Sequence, residues 1–225
     1  MTSSTELKAA HMRNRIVRAA TVKAASCDAV IEQAVMLEAA VFGEKFSNTR
    51  EQLAEEYGPL WPQTWFLTCH LDDALVGVAR LVVPGQVRQK SLADAAKPPF
   101  EVIVDEGLAQ IGVASGEVLD VVTIAIDKQY RGEGLLWPML EQIYYLAVEN
   151  HCSHIIAIID VRVLEYIRSL GLDVKILPGG KPAPYLGSSQ SVPIVAALDG
   201  GNLIAVRAGS HSGSPSTKAT WGRKV

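Results

Sequence analysis

Six residues in the second half of the chain, Gln129-Tyr130-Arg131-Gly132-Glu133-Gly134, have the types and the setting to hold a phosphate. An apolar run from Val118 to Ile126 leads into them, and a helical pattern from Leu135 to Val148 leads out. Small residues at a strand-to-helix turn let backbone approach a ligand closely. The first-turn N–H groups of the helix lack intrahelical partners and sit at the positive end of its dipole. Together these make an anion site. An ordinary turn with two glycines would read the same without these flanks.

Three phosphate-binding designs share that logic, and residue identities separate them. A P-loop ends in Gly-Lys-Ser/Thr, which this stretch lacks. A dinucleotide fingerprint needs a third small residue where its helix packs on the sheet, and Trp137 stands there instead. A nucleotide-dependent oxidoreductase is disfavoured on that ground. Gln-x-x-Gly-x-Gly remains.

Composition narrows the classes further. With 225 residues, 48% of them hydrophobic, the chain can bury one good-sized core. A net charge of -3 gives no global pull toward nucleic acid or anionic membranes. The opening residues lack an uninterrupted apolar segment of signal-peptide type, and no run reaches membrane-span length. Cys27, Cys69 and Cys152 are few and odd in number, as in a reducing cytoplasm, and are expected to be core or half-buried thiols. His151-Cys152-Ser153-His154 offers metal-ligand types without a second pair at the needed spacing, so no metal is expected. The absence of Gly-x-Ser-x-Gly argues against a serine hydrolase.

The elements that must position these residues follow from periodicity. Residues 15–24 read as a first strand, with Ile16, Val17 and Val22 apolar, and Ser26 as the cap of the next helix. Val30, Ala34, Leu37 and Val41 form that helix's apolar stripe. A shorter helix spans Asn48 to Tyr57, and Gly58-Pro59 ends it. Thr64 to Leu71 and Ala74 to Val83 read as a hairpin around Asp72-Asp73. Residues 84–116 form an irregular insertion over the site, with a short helix near 106–111.

From Glu117 the chain alternates: strand 118–126, a helix with Leu136, Leu140, Ile143 and Ala147 on one face, strand 155–159, helix 161–170 and strand 172–177. Such spacing implies parallel crossovers. Residues 178–191 read as a loop, 192–198 as a late strand, and 203–207 as a final short one. Pro138 falls inside a predicted helix, where it should kink the axis, less so for lying near the start. Residues 15–208 read as one domain, with a flexible segment at 1–14 and a disordered tail rich in Ser, Gly, Thr and Lys at 209–225.

This order, together with Gln129-x-x-Gly132-x-Gly134, resembles the GNAT acyltransferase superfamily. The resemblance implies an α/β (α+β) fold with a mixed, mostly antiparallel central sheet flanked by helices, its strands 4 and 5 splayed. A pantetheine arm would enter that gap against the backbone of Ile124, Ala125 and Ile126. Around the pyrophosphate would lie Gln129, Arg131, Gly132, Glu133, Gly134 and Leu135. A narrower likeness rests on Val76-Gly77-Val78-Ala79-Arg80-Leu81-Val82, Pro84, Lys90-Ser91-Leu92 and Leu170-Gly171-Leu172, followed by Pro182, Tyr185 and Gly187. These segments resemble acyl-homoserine-lactone synthases and long-chain N-acyl amino acid synthases, whose acyl donor is usually an acyl carrier protein. Where those synthases tend to carry a strand-four arginine, this chain has Thr123, which weakens lactone-type recognition.

What the resemblance implies is acyl transfer from acetyl-CoA, a longer acyl-CoA or carrier-protein phosphopantetheine to a small-molecule amine, in the cytoplasm, with a homodimer left open. The amine must lose a proton, the oxyanion must be stabilised and the thiolate must leave. Asp120 occupies the strand-four position of the family's catalytic carboxylate, and burial in an apolar strand would raise its pKa usefully. Glu117 is the substitute base should Asp120 face water at the strand's start. A backbone N–H near 124–126 would hold the oxyanion. For the leaving thiolate the family's tyrosine position holds Ile167, and Tyr166 is one residue off, a rotation of roughly 100° on a helix, which points to packing more than to acid. Water could protonate the thiolate instead. Trp61 and Trp65 could line a pocket, and His70 lies on the strand face opposite Trp65. The alternative function is a GNAT-like domain that binds CoA or a partner without turnover.

Overall fold

The computed structural model describes residues 20–198 except residue 86. The early part of the expected first strand, with Ile16 and Val17, lies outside these residues, as do 1–14, 203–207 and the tail from 209. Strand β1 covers Ala20–Ala24. Helix α1, Asp28–Phe46, is capped by Cys27 and not by Ser26. Helical backbone begins only at Asp28, so the Ser26 hydroxyl is one residue early. The Cys27 carbonyl instead accepts from the amides of Val30 and Ile31 at 3.1 and 3.0 Å. Of the expected stripe only Ala34 is fully buried, and Glu38 is buried with it, one turn on.

Helix α2, Arg50–Tyr57, starts two residues later than predicted because Thr49 is its cap. The Thr49 hydroxyl accepts from the Gln52 amide at 3.1 Å, and the Gln52 side chain accepts from the Thr49 amide at 2.8 Å. A 3₁₀ turn, Gly58–Gln63, then delivers the hairpin β2 (Thr64–Leu71) and β3 (Ala74–Val82). Asp72 and Asp73 form its two-residue turn, with φ of 48° and 66°.

The insertion holds two helices, α3 (Lys90–Ala95) and α4 (Val104–Gln110), where one had been expected. Leu92, Phe100, Val104 and Leu108 bury a satellite core against Val118 and Ile156 of the sheet. After it come β4 (Val118–Ile126), α5 (Leu136–Glu149), β5 (His154–Asp160) and α6 (Val161–Ser169). Pro138 is the third residue of α5, where an amide has no intrahelical acceptor to lose, so the cause of the expected kink is removed. Of the predicted face of α5, Ile143 and Ala147 are buried and Leu136 and Leu140 half-buried; Trp137, Met139, Tyr144 and Leu146 are buried beside them.

The predicted strand 172–177 shrinks to β6, Lys175–Ile176, and the predicted loop 178–191 contains β7 (Ala183–Tyr185) and the start of β8 (Ser188–Ala197). Leu172 and Val174 are buried, but their backbone pairs with no strand, so apolarity overstated the ladder. The sheet runs β1-β2-β3-β4-β5-β8-β6, with β7 on β8. Among the described residues only β4 and β5 pair in parallel; β8 inserts antiparallel between β5 and β6.

Two details of β4 position the site. It pairs with β5 at Val118/His154, Leu119/Ile155 and Asp120/Ile156, and there the ladder stops. From that point β4 follows β3 to Ile126 while β5 follows β8 to Asp160, so the two strands part. Opposite β3, Arg80 faces Thr123 but Leu81 faces Val121, leaving Val122 as the extra residue of a bulge. Strand side chains alternate, so Asp120 and Thr123 would ordinarily point to opposite faces. The bulge brings both to the α1 and α3 face.

Candidate active site

Asp120 ends the parallel ladder and is fully buried. Both carboxylate oxygens are held by one residue of α3: the Ser91 amide donates to Oδ2 at 2.8 Å and the Ser91 hydroxyl to Oδ1 at 2.6 Å. Burial pushes the Asp120 carboxyl up to about 6, against the two Ser91 hydrogen bonds and the charge of Lys90, which pull it down. A carboxylate oxygen has more than one lone pair, so an incoming proton still finds an acceptor there.

Beside it, Glu38 of α1 accepts from Arg80 Nε at 3.0 Å, from Arg80 Nη2 and from the Thr123 hydroxyl. Glu38 and Arg80 are almost wholly out of solvent. The guanidinium lies 4.6 Å from the ring centroids of both Tyr57 and Phe66, which adds cation–π attraction on each face. Burial first, and the Glu38 charge next, keep the Tyr57 hydroxyl neutral by raising its pKa. A second cluster ties α2, α3 and β7 together: Lys90 donates to Glu56 and Asp94, and the Tyr185 hydroxyl donates to Asp94. Lys90 precedes Ser91, so this cluster fixes the helix turn that grips Asp120.

Beyond Asp120 the β5-facing edge of β4 carries no strand through Ile126 among the described residues. It ends in the glycine turn, where Gly132 and Gly134 have φ of 85° and 78°, values open to glycine at no steric cost. The Arg131 and Glu133 amides make long bonds, 3.4 Å each, to Lys128 and Tyr130 carbonyls. Those of Gly132, Gly134 and Leu135 have no carbonyl partner among the described residues. The Asp127 carboxylate fastens the turn by accepting from the Gln129 amide at 2.9 Å. Arg131 Nε donates to the Ile126 carbonyl at 3.0 Å, which takes up one backbone acceptor of the splayed edge. Ala125 is buried beneath α1, whereas Ile124 and Ile126 pack partly buried toward α5. A strand edge lacking its neighbour and a turn of unpaired amides suit an extended chain ending in a diphosphate.

A cavity of about 530 Å³ opens between α1 and α2, with the buried Arg80 and Tyr57 at its base. Tyr57 joins the two regions, since it lines this cavity and feels the charge of Asp120.

No family model matches the chain, and no curated protein matches it by sequence. Solved structures do match in three dimensions. FeeM, an N-acyl amino acid synthase from uncultured soil microbes, superposes with a TM-score of 0.58 at 15% identity, over 80% of this chain and 91% of its own. BjaI, a CoA-dependent acyl-homoserine lactone synthase solved with MTA, gives 0.59 at 15% identity, over 84% of this chain and 88% of its own. Spermidine N-acetyltransferase from Vibrio cholerae, in complex with CoA and spermine, gives 0.52 at 9% identity, over 80% and 96%. The fold is that of the GNAT acyltransferases.

Within this GNAT fold the residues singled out from sequence scatter. Asp120 and the glycine turn lie at opposite ends of the free β4 edge. Glu117 is exposed in a 3₁₀ turn ahead of β4, its carboxylate 3.4 Å from the Ser153 hydroxyl, outside the buried cluster. Tyr166 is 49% exposed, while Leu164 is the residue α6 buries, so the packing expected of Tyr166 is not made. Cys27 is exposed, and Cys69 and Cys152 are buried. His70 is half-buried, with an Nε2 that has no hydrogen-bond partner among the described residues. Sequence reasoning quoted Arg80, Lys90, Ser91 and Tyr185 without seeing their roles, and it missed Glu38 and Tyr57. The signal for Glu38 was present: it falls four residues after Ala34 and three before Val41, inside the apolar stripe.

Proposed function

We propose that this chain is an N-acyltransferase that moves an acyl group from a CoA or carrier-protein thioester directly onto a small-molecule amine. The observation that carries this reading is the parting of β4 and β5 immediately after Asp120. It leaves an open strand edge running from a buried carboxylate to the Gly132–Gly134 turn. A pantetheine arm would complete that edge, and its diphosphate would meet the unpaired turn amides. The thioester carbon would then lie near the vertex, within reach of an amine presented from the α1 and α2 side. Asp120 accepts the proton as the new C–N bond forms, the C–S bond breaks, and the thiolate takes a proton from water. Water serves here because Tyr166 faces solvent and Ile167 holds the family's tyrosine position.

The 8-stranded sheet, its splay and the resemblance to synthases of N-acyl compounds all support this reading. Carrier-protein donation and a cytoplasmic setting are the finer parts of the proposal. They draw on the synthase likeness, and no helix among the described residues is long and apolar enough to cross a membrane. Free-thiol release from acetyl-CoA and longer acyl-CoA, with a panel of amines, tests the reading. Release that depends on the amine and disappears in Asp120→Asn supports it.

One observation favours a second reading, a domain that binds CoA without turnover. Both oxygens of Asp120 are already engaged by Ser91. Tight CoA binding with no amine-dependent thiol release across the panel would establish that reading instead.

A further inference from the structure

The cavity between α1 and α2 is the size of a small-molecule site, which typically spans about 300–1,000 Å³. Its walls are Ile31, Val35, Leu53 and Trp61, with Tyr57 and Arg80 at the base. The surface is therefore largely apolar and flanked by two aromatic rings.

Its charges decide what can enter. Arg80 is the buried cation, and Glu38 already takes its Nε and Nη2. Nη1 makes no hydrogen bond among the described residues and can donate to an uncharged oxygen. A carboxylate placed there would have to share one buried guanidinium with Glu38, and two desolvated carboxylates on one cation leave a net charge out of water. At the mouth, Arg50 pairs with Glu32 at 3.6 Å, while Asp28 has no cationic partner among the described residues. The balance favours a cation and disfavours an anion.

We infer that this cavity takes the acceptor amine, and that the acceptor carries an apolar body and no carboxylate. This rests on the acyl-transfer reading. The connection to the chemistry runs through the sheet: Arg80 lies opposite Thr123, on the strand that ends its ladder at Asp120.

Phenethylamine and phenylalanine differ only by the carboxylate, so thiol release from acetyl-CoA with each tests the inference on the full chain. Phenethylamine is expected to have the higher kcat/KM by about tenfold or more. Ala54 lines the cavity from an exposed position on α2, so Ala54→Trp fills the space without disturbing the core. It is expected to raise KM for phenethylamine and leave KM for acetyl-CoA unchanged. Equal or better use of phenylalanine overturns the inference while acyl transfer stands, and so does an amine KM that Ala54→Trp does not move. If neither amine releases thiol, calorimetry separates the two ideas. Phenethylamine bound by the wild type and not by Ala54→Trp supports the cavity assignment and places the failure on acyl transfer. Binding of neither amine overturns the assignment.

Discussion

Ser91 holds Asp120 at both oxygens, through its amide at 2.8 Å and its hydroxyl at 2.6 Å. One residue at the start of a six-residue helix thus grips the carboxylate of β4 at the splay. Burial raises the Asp120 pKa, and the two donors offset part of that rise. The resulting value near 6 gives a base that is ionised at pH 7 and still proton-hungry.

Asp120→Asn keeps the volume and removes the base. Turnover should fall by about 10²–10⁴-fold while acyl-CoA binding is retained, measured by thiol release and calorimetry. In the wild type, kcat/KM should rise with pH through about 6 as Asp120 ionises. Stability should move the other way. The folded value near 6 lies above the reference of 3.8, so between them the folded state binds more protons than the unfolded chain. Stability then decreases as pH rises through that window. Thermal melts should show this slope in the wild type and its loss in Asp120→Asn.

Ser91→Ala removes the hydroxyl donor and leaves the amide. The ionised form of Asp120 loses support, so the inflection of the pH–rate profile should move to higher pH. Ser91→Thr keeps the hydroxyl and should restore it. An unmoved inflection in Ser91→Ala would assign the profile to another group.

Glu38→Ala strands the Arg80 guanidinium without its counter-charge. Breaking a buried pair from one side costs about 3–5 kcal/mol. For a chain of this size that lowers Tm by roughly 6–20 °C. Replacing both Glu38 and Arg80 with apolar residues of similar bulk should recover much of the loss, because the desolvation cost leaves with the charges.

Gly132→Ala tests the anion turn. An added Cβ would meet nothing within 4 Å, so crowding is not the issue; the φ of 85° is. Left-handed backbone costs a non-glycine residue about 1–2 kcal/mol. A turn that relaxes away from it misdirects its amides, and KM for acyl-CoA should rise by about tenfold, the factor that ~1.4 kcal/mol represents.

The frame was legible in the sequence where local signals were strong. Strand β4 was read to the residue because Glu117 and Asp127 bound an apolar run. The β2–β3 hairpin was marked by two aspartates in left-handed conformation. Helix α3 escaped notice because six residues carry too little periodicity to register. The site was half legible. Asp120 and the glycines stood out by type and place, but what holds Asp120 comes from 29 residues away, and Arg80 finds its partner 42 residues away. Pairings across such distances are made by the sheet and its bulge at Val122, which no local pattern announces.

The ladder that ends at Asp120 and Ile156 also makes the protein a reporter of its own occupancy. Main-chain protons on the β5-facing side of residues 121–126 have no strand among the described residues to shield them. They should therefore trade quickly with deuterated solvent until an extended ligand lies along them. Mass spectrometry of that one peptide, with and without thioester, would time the arrival and departure of the donor without any label on either molecule.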